Sequence, residues 1–210
     1  MKYRIQHPEW ITLTAEGKPF YGYDQEWYDQ YRQRLAGCGP TTAAVLAAYL
    51  NQKEWHINTP EQKSAIALMN MMWQYVTPRM RGLYKVRWFR DGFRSYMKAH
   101  SLLGKVEILR VLPFHLMTPS VKKAGQFIAE GIQDDCPVAF LNRHDGGEPA
   151  LSTWHWVPVT AIEFCDGDCL CTIWDGGRAG VFSLSNWLKR SRFGGGFVRV
   201  AGSRDLVKQH

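Results

Sequence analysis

The sequence predicts an α+β fold built as a single domain. Its first half places apolar residues at helical spacing. Its second half is a series of short strand-like runs separated by turn signals. No repeat, low-complexity tract or linker divides the two. With 210 residues, 45% of them apolar and 21% charged, the chain is long enough to bury a core and ordinary for a globular protein. Aromatic residues reach 13%, nine of them tryptophan, which suits a large core or an aromatic-lined cleft.

In chain order, Trp10 to Thr14 reads as a strand, followed by a turn at Glu16-Gly17-Lys18-Pro19. Trp27, Tyr28 and Tyr31, after Tyr21 and Tyr23, stand at helical spacing and read as a core stripe. A helix starts at Gly37-Cys38-Gly39-Pro40, because a proline in the first turn forfeits no hydrogen bond. Strong helix formers follow, with Val45, Leu46, Tyr49 and Leu50 as the larger apolar groups. Thr59-Pro60-Glu61 opens a second helix carrying Ile66, Leu68, Met69, Met72 and Trp73, whose methionines read as packing. Val86 to Ala99 forms a third helix, Lys105 to Leu112 alternates like a strand, and Pro119 to Ile132 forms another helix. From Pro137 the expected strands are Val138 to Asn142, Trp156 to Phe164, Leu170 to Trp174, Gly180 to Leu184 and Gly196 to Ala201. A short helix, Ser185 to Lys189, interrupts them.

A net charge of +7 raises the question of nucleic acid. The basic residues are scattered, however, and no nucleic-acid module signature appears, so nucleic acid is not expected as a partner. The densest basic stretch, Arg79 to Arg94, alternates with Leu83, Val86, Trp88, Phe89 and Phe93, as in a helix with one apolar and one solvated basic face. No segment is long and apolar enough to span a bilayer, and the first residues lack an apolar signal core. The cytoplasm is therefore the default compartment, with export after removal of a leader left open. Oligomeric state is not written in the pattern.

Five cysteines are too few for a disulfide scaffold in a chain of this length. Cys165, Cys169 and Cys171 flank the turn Asp166-Gly167-Asp168 and read as structural residues of a hairpin, with a Cys165–Cys169 bridge open to an exported protein. A zinc site would need a fourth ligand and two separated ligand pairs, so neither metal nor cofactor is expected. Cys136, before the apolar run Val138 to Leu141, reads as a buried filler.

Cys38 differs. Two glycines and Pro40 specify a turn into a helix, which a filler does not need. A thiol at a helix N-terminus meets orphan N–H groups and the positive end of the dipole, which favour the thiolate. Such a nucleophile needs a base and a group to orient it. Of seven histidines, His7 and His210 lie near the termini, His56 follows the Cys38 helix, His100 ends a helix, and His115 and His144 sit in connections. His155 opens the strand Trp154 to Ile162 directly after a polar loop, a position where a scaffold presents reactive groups. Asp175 ends the next apolar strand. Counted from Asp166, His155 lies eleven residues before and Asp175 nine after, so antiparallel pairing with a bulge brings the two together. Pro158 points to an edge or a bulge in that strand.

Gly-Cys-Gly-Pro-Thr-Thr-Ala-Ala at 37–44, Cys136-Pro137-Val138-Ala139, His155-Trp156-Val157-Pro158-Val159 and Ile173-Trp174-Asp175-Gly176 together resemble the papain-like cysteine peptidases. The similarity is to the branch that includes the bacteriocin leader peptidases and their stand-alone relatives, and it runs over roughly residues 30 to 200. It implies a papain-like fold with the nucleophile helix against the sheet that carries the base. Cys38 matches the nucleophile, His155 the base and Asp175 its orienting partner. Where the family places an oxyanion-hole glutamine, six residues before the cysteine, this chain has Arg32; Gln33 is the nearest glutamine and Gln30 lies further off. On this resemblance residues 1–30 are an N-terminal extension, 51–135 a helical insertion and 136–201 the sheet half. The expected function is a cysteine peptidase or related thiol amide hydrolase acting on a peptide or amide substrate. Its alternatives are an acyl or peptidyl transferase on the same triad and a non-catalytic papain-like binding module.

Overall fold

The computed structural model describes residues 1–15, 17–55, 61–115 and 118–202. The architecture is α+β. In chain order the strands are β1 (Lys2–Arg4), β2 (Thr12–Ala15), β3 (Lys18–Tyr21), β4 (Lys105–Val111), β5 (Val138–Asn142), β6 (His155–Cys165), β7 (Asp168–Asp175), β8 (Arg178–Ser183) and β9 (Gly195–Ala201). The helices are α1 (Tyr31–Ala36), α2 (Cys38–Trp55), α3 (Gln62–Tyr75), α4 (Val86–Ala99), α5 (Val121–Gln133) and α6 (Leu184–Arg190). Seven strands form one sheet in the order β4-β9-β5-β6-β7-β8, with β1 also paired to β6. All its pairings are antiparallel, and β2 and β3 form a separate hairpin.

At 11 residues, β6 is long enough to take two partners along one side. Its first half pairs with β5 from Asn142↔His155 to Val138↔Val159, and its second half pairs with β1 from Arg4↔Ala161 to Lys2↔Glu163. Side chains alternate across the sheet. Ala139, Leu141, Trp156, Trp174 and Val198 join the core cluster of α2, α3 and α4. Phe140, Val157, Val159, Phe182 and Phe197 join the cluster of α5 and α6.

Within that first core, α2 is apolar all round. Every residue from Ala43 to Leu50 is buried, which marks a central helix rather than a surface one. Gly37 and Gly39 serve close packing here and not an unusual backbone angle. Gly37 has φ −83° and ψ −5°, which any residue adopts. A Cβ on Gly37, however, would sit 2.6 Å from the Tyr28 ring, besides meeting the Gln33 carbonyl oxygen, and one on Gly39 would sit 2.6 Å from Leu83.

Several expected elements are redrawn by the tertiary structure. Trp10 lies in a single helical turn, Pro8–Ile11, ahead of β2. Trp27, Tyr28 and Tyr31 do not share a helix: Gln25–Trp27 is one 3₁₀ turn and Tyr31 opens α1, where it is exposed. Thr59 and Pro60 lie outside the described residues, and Glu61 precedes α3 as its N-cap. Ser120 caps α5 by accepting from the Lys123 N–H. From the segment expected to be an extension, β1 joins the main sheet. From the stretch expected to be a helical insertion, β4 pairs along its length with β9. Both pairings are made with strands more than eighty residues distant, which local pattern does not encode. Among the described residues no helix is long and apolar enough to cross a membrane.

Because the neighbours of Gly37 include a backbone carbonyl and a buried ring, Gly37→Ala is expected to cost about 1–3 kcal/mol. That corresponds to a melting temperature lower by roughly 3–10 °C in a domain of this size. Differential scanning calorimetry of the variant checks it, and an unchanged melting temperature would show that the α1–α2 junction has room to spare.

Candidate active site

Cys38 is the first residue of α2, and α1 runs directly into it through Gly37. Its helix is held from Thr41, whose N–H donates to the Gly37 carbonyl at 2.8 Å. The Cys38 N–H stands at the first position of α2, ahead of the intrahelical bond from Thr41. With α2 packed on β6, the thiol comes to rest against His155, the first residue of that strand.

The approach of Asp175 depends on one extra residue. From the turn outward β6 and β7 pair as Cys165↔Asp168 through Ala161↔Thr172, but the next pair is Val159↔Ile173, leaving Thr160 unmatched. Continued to the end of β7, the shifted register sets Asp175 opposite Val157, with the same parity as His155. Unshifted, it would fall opposite Pro158 and point to the other face, since a one-residue slip reverses every side chain. The bulge expected near Pro158 is therefore present. Although β6 lies between β5 and β7 in the sheet, its ladder to β7 stops just where Pro158 has no N–H to give.

The resulting contact is direct. His155 Nε2–H donates to Asp175 Oδ1 at 2.9 Å. Nδ1 is left as the ring's only other polar atom, and Cys38 is its second partner. The imidazole is well covered, its side chain 19% exposed against 37% for Asp175. Burial opposes a charge on this ring, but the bonds and negative charges of Asp175 and Cys38 outweigh it and raise the His155 pKa from 6.5 to about 10. At neutral pH the ring thus carries both protons.

The two tryptophans beside His155 do different work. Trp156 is buried, stacks on Phe89 at 4.6 Å, and donates from Nε1 to the Leu83 carbonyl at 2.6 Å. It thereby fastens β6 to α4 and to the turn at residues 79–82, closed by the Arg79–Gly82 bridge. Trp154 is 54% exposed and has φ 59°, a left-handed backbone that costs a bulky residue of order 1 kcal/mol. It stands on one wall of a cleft of about 330 Å³ that opens on Cys38, with Leu35, Met80, Leu83 and Tyr84 among the other walls. A smaller cavity behind the thiol is lined by Thr42, Pro158, Trp174 and the triad residues.

Gln33, expected by its spacing to serve the oxyanion hole, is elsewhere. It is buried on α1, its Nε2 donates to Asn70 Oδ1 of α3 at 3.1 Å, and it lines neither cavity that reaches Cys38. The glutamine that does is Gln25, thirteen residues before Cys38 and in a separate helical turn. Its Nε2 donates to the Arg34 carbonyl at 2.9 Å, while its Oε1 is buried without a partner. Spacing along the chain carried no sign of it, because a loop and α1 intervene.

The remaining histidines are occupied otherwise. His7 pairs with Glu9 and stacks on Trp10 at 4.1 Å, His100 bonds the Tyr96 carbonyl, and His144 Nδ1 accepts from the Gly146 N–H. His56, His210 and the His115 side chain lie outside the described residues. In the β6–β7 hairpin Cys165 is exposed and Cys169 is buried, both as free thiols. Burial pushes the Cys169 and Cys171 thiols up, so these two behave as core residues.

The chain matches no protein-family model, no curated protein and no solved structure.

A raised imidazole pKa gives the pair a defined pH signature. His155 binds its proton more tightly folded than unfolded, so its contribution to stability is complete below 6.5 and is lost as pH rises through about 10. Thermal melts between those limits are expected to fall more steeply for the wild type than for His155→Gln. Parallel curves would show that the folded ring is not charged.

Proposed function

We propose that the protein is a thiol amide hydrolase of the papain-like kind, most simply a cysteine peptidase. The observation that carries this reading is the contiguous Cys38–His155–Asp175 chain: a thiol at a helix start, an imidazole against it, and a carboxylate on the far nitrogen of that imidazole. The resemblance of the four sequence segments supports the same assignment of roles. An open cleft at the sulfur, with Trp154 at its wall and Trp156 buried beneath, argues against a fossil site plugged by its own tryptophans.

In the mechanism, Cys38 Sγ bonds to the carbonyl carbon of the scissile amide while the carbonyl π pair moves onto oxygen. The Cys38 N–H, at the first position of α2, is the donor for that oxygen. As the tetrahedral species collapses, the C–N bond breaks and the departing nitrogen takes the Nδ1 proton of His155. Neutral His155 then removes a proton from water as it attacks the thioester, and the thiolate leaves. Throughout, Asp175 keeps a proton on Nε2, so that Nδ1 is the position that exchanges protons with substrate.

Alkylation by iodoacetamide followed by mass spectrometry tests the reading, in a Cys165→Ser background that removes the exposed thiol. A single fast adduct on Cys38 is expected. His155→Ala should slow it by roughly tenfold or more at neutral pH, because the thiolate loses the imidazolium that favours it. Equal labelling of the parent and Cys38→Ala would sink the proposal.

A further inference from the structure

Tyr84 and Leu141, which line the cleft at Cys38, also wall a second cavity of about 240 Å³ beside it. The chamber is built by the start of α4 with Lys85, Val86 and Arg87, the end of β4 with Arg110 and Val111, Gly195 at the start of β9, and Arg143 directly after β5. Its floor is apolar, with Val86, Val111, Leu112, Pro113 and Leu141.

The charge here is of one sign. Lys85, Arg87, Arg110 and Arg143 line the chamber, Arg32, Arg79 and Arg81 line the adjoining cleft, and no aspartate or glutamate lines either. Among the described residues none of Arg87, Arg110 and Arg143 forms an ion pair, although carboxylates elsewhere are paired. Arg199, by contrast, is shared between Glu107 and Glu130. Arg143 is the informative member. Its Nε is buried and has no hydrogen-bond partner, and burial pulls its guanidinium below the ordinary arginine value. The first turn of α4 adds to this, since Lys85 gives it no side-chain cap. The stretch expected to form a solvated basic helix face therefore contributes Arg79, Arg81, Lys85 and Arg87 to the walls of these cavities.

We propose that this second chamber is a subsite for an acidic side chain, binding a Glu or Asp carboxylate of the polypeptide whose amide bond lies over Cys38. A chamber of side-chain size with an apolar floor suits the methylene stem, and the arginines suit the carboxylate. The exposed Leu35, Met80 and Trp154 at the first cleft suit the apolar neighbours of that residue. A nucleic-acid strand would require a longer basic track with stacking platforms for successive bases. The assignment of substrate rests on the thiol-hydrolase reading; the binding does not, and is measured separately from it.

Rhodamine-labelled hexaglutamate and hexaglutamine, titrated against the Cys38→Ala protein and followed by fluorescence polarisation, test it without turnover. Hexaglutamate is expected to bind at least about tenfold more tightly, the scale of one charge-assisted contact. Its preference should shrink towards unity in Arg143→Gln. Arg110 is exposed, so Arg110→Gln supplies the same comparison where folding is not at stake. Equal affinities for the two peptides, or a preference that survives both substitutions, would overturn the proposal. So would displacement of hexaglutamate by an oligothymidylate at lower concentration than by unlabelled hexaglutamate. Loss of this preference with intact Cys38 alkylation would reject the subsite alone, and the reverse pattern would reject the hydrolase reading alone.

Discussion

Everything at the site depends on α2 lying flat against β6. The face of α2 turned towards β6 carries Cys38, Thr41, Thr42 and Val45, which share a cavity wall with His155, Trp156 and Pro158, while the remaining faces of the helix are buried in the core. Against it β6 and its neighbours set Leu141, Trp156 and Trp174. This is ordinary core packing, yet it decides where a helix begins relative to where a strand begins, and Cys38 and His155 are those two beginnings. Interiors packed at crystal-like density do not slide, so burial holds the sulfur within hydrogen-bond reach of the imidazole.

A second constraint is finer. The unmatched residue at Thr160 changes the parity of everything on the far end of β7, and with it the face on which Asp175 projects. The end of β7 is then fixed by the N-terminal hairpin, where the Tyr21 N–H donates to the Gly177 carbonyl at 3.1 Å and the Tyr21 ring packs on Trp174 at 5.0 Å. Residues far from the chemistry thus hold the carboxylate against the imidazole. Trp154 belongs to the same economy of position. Its left-handed backbone turns the chain into β6 at His155, and surrounding packing offsets the strain.

Legibility followed range. The start of α2 is spelled out by four consecutive residues, Gly37 to Pro40, and Cys38 was recognisable from them because capping and helix-end electrostatics act within one turn. His155 and Asp175 were reachable by counting outward from the Asp166-Gly167 turn, since a hairpin is the longest-range contact that local order still determines. Gln25 was beyond such counting. It reaches the cavity around an intervening helix, whereas Gln33, nearer in sequence, is turned by α1 towards Asn70. The basic chamber was invisible for the same reason: Arg87, Arg110 and Arg143 belong to three elements, and only the sheet order brings these together.

By itself, then, the sequence determined the α+β class, the helix that begins at Cys38, the β6–β7 hairpin and the three residues able to form a nucleophile, a base and its orienter. Each of these rests on interactions within a turn, a helix or one hairpin. Tertiary structure decided the rest: β1 and β4 as members of the main sheet, the absence of Gln33 from the site, the exposed Trp154 against the buried Trp156, and the gathering of arginines beside the cleft. Those features depend on which distant surfaces bury one another, and burial between elements is a property of the whole chain rather than of any stretch of it.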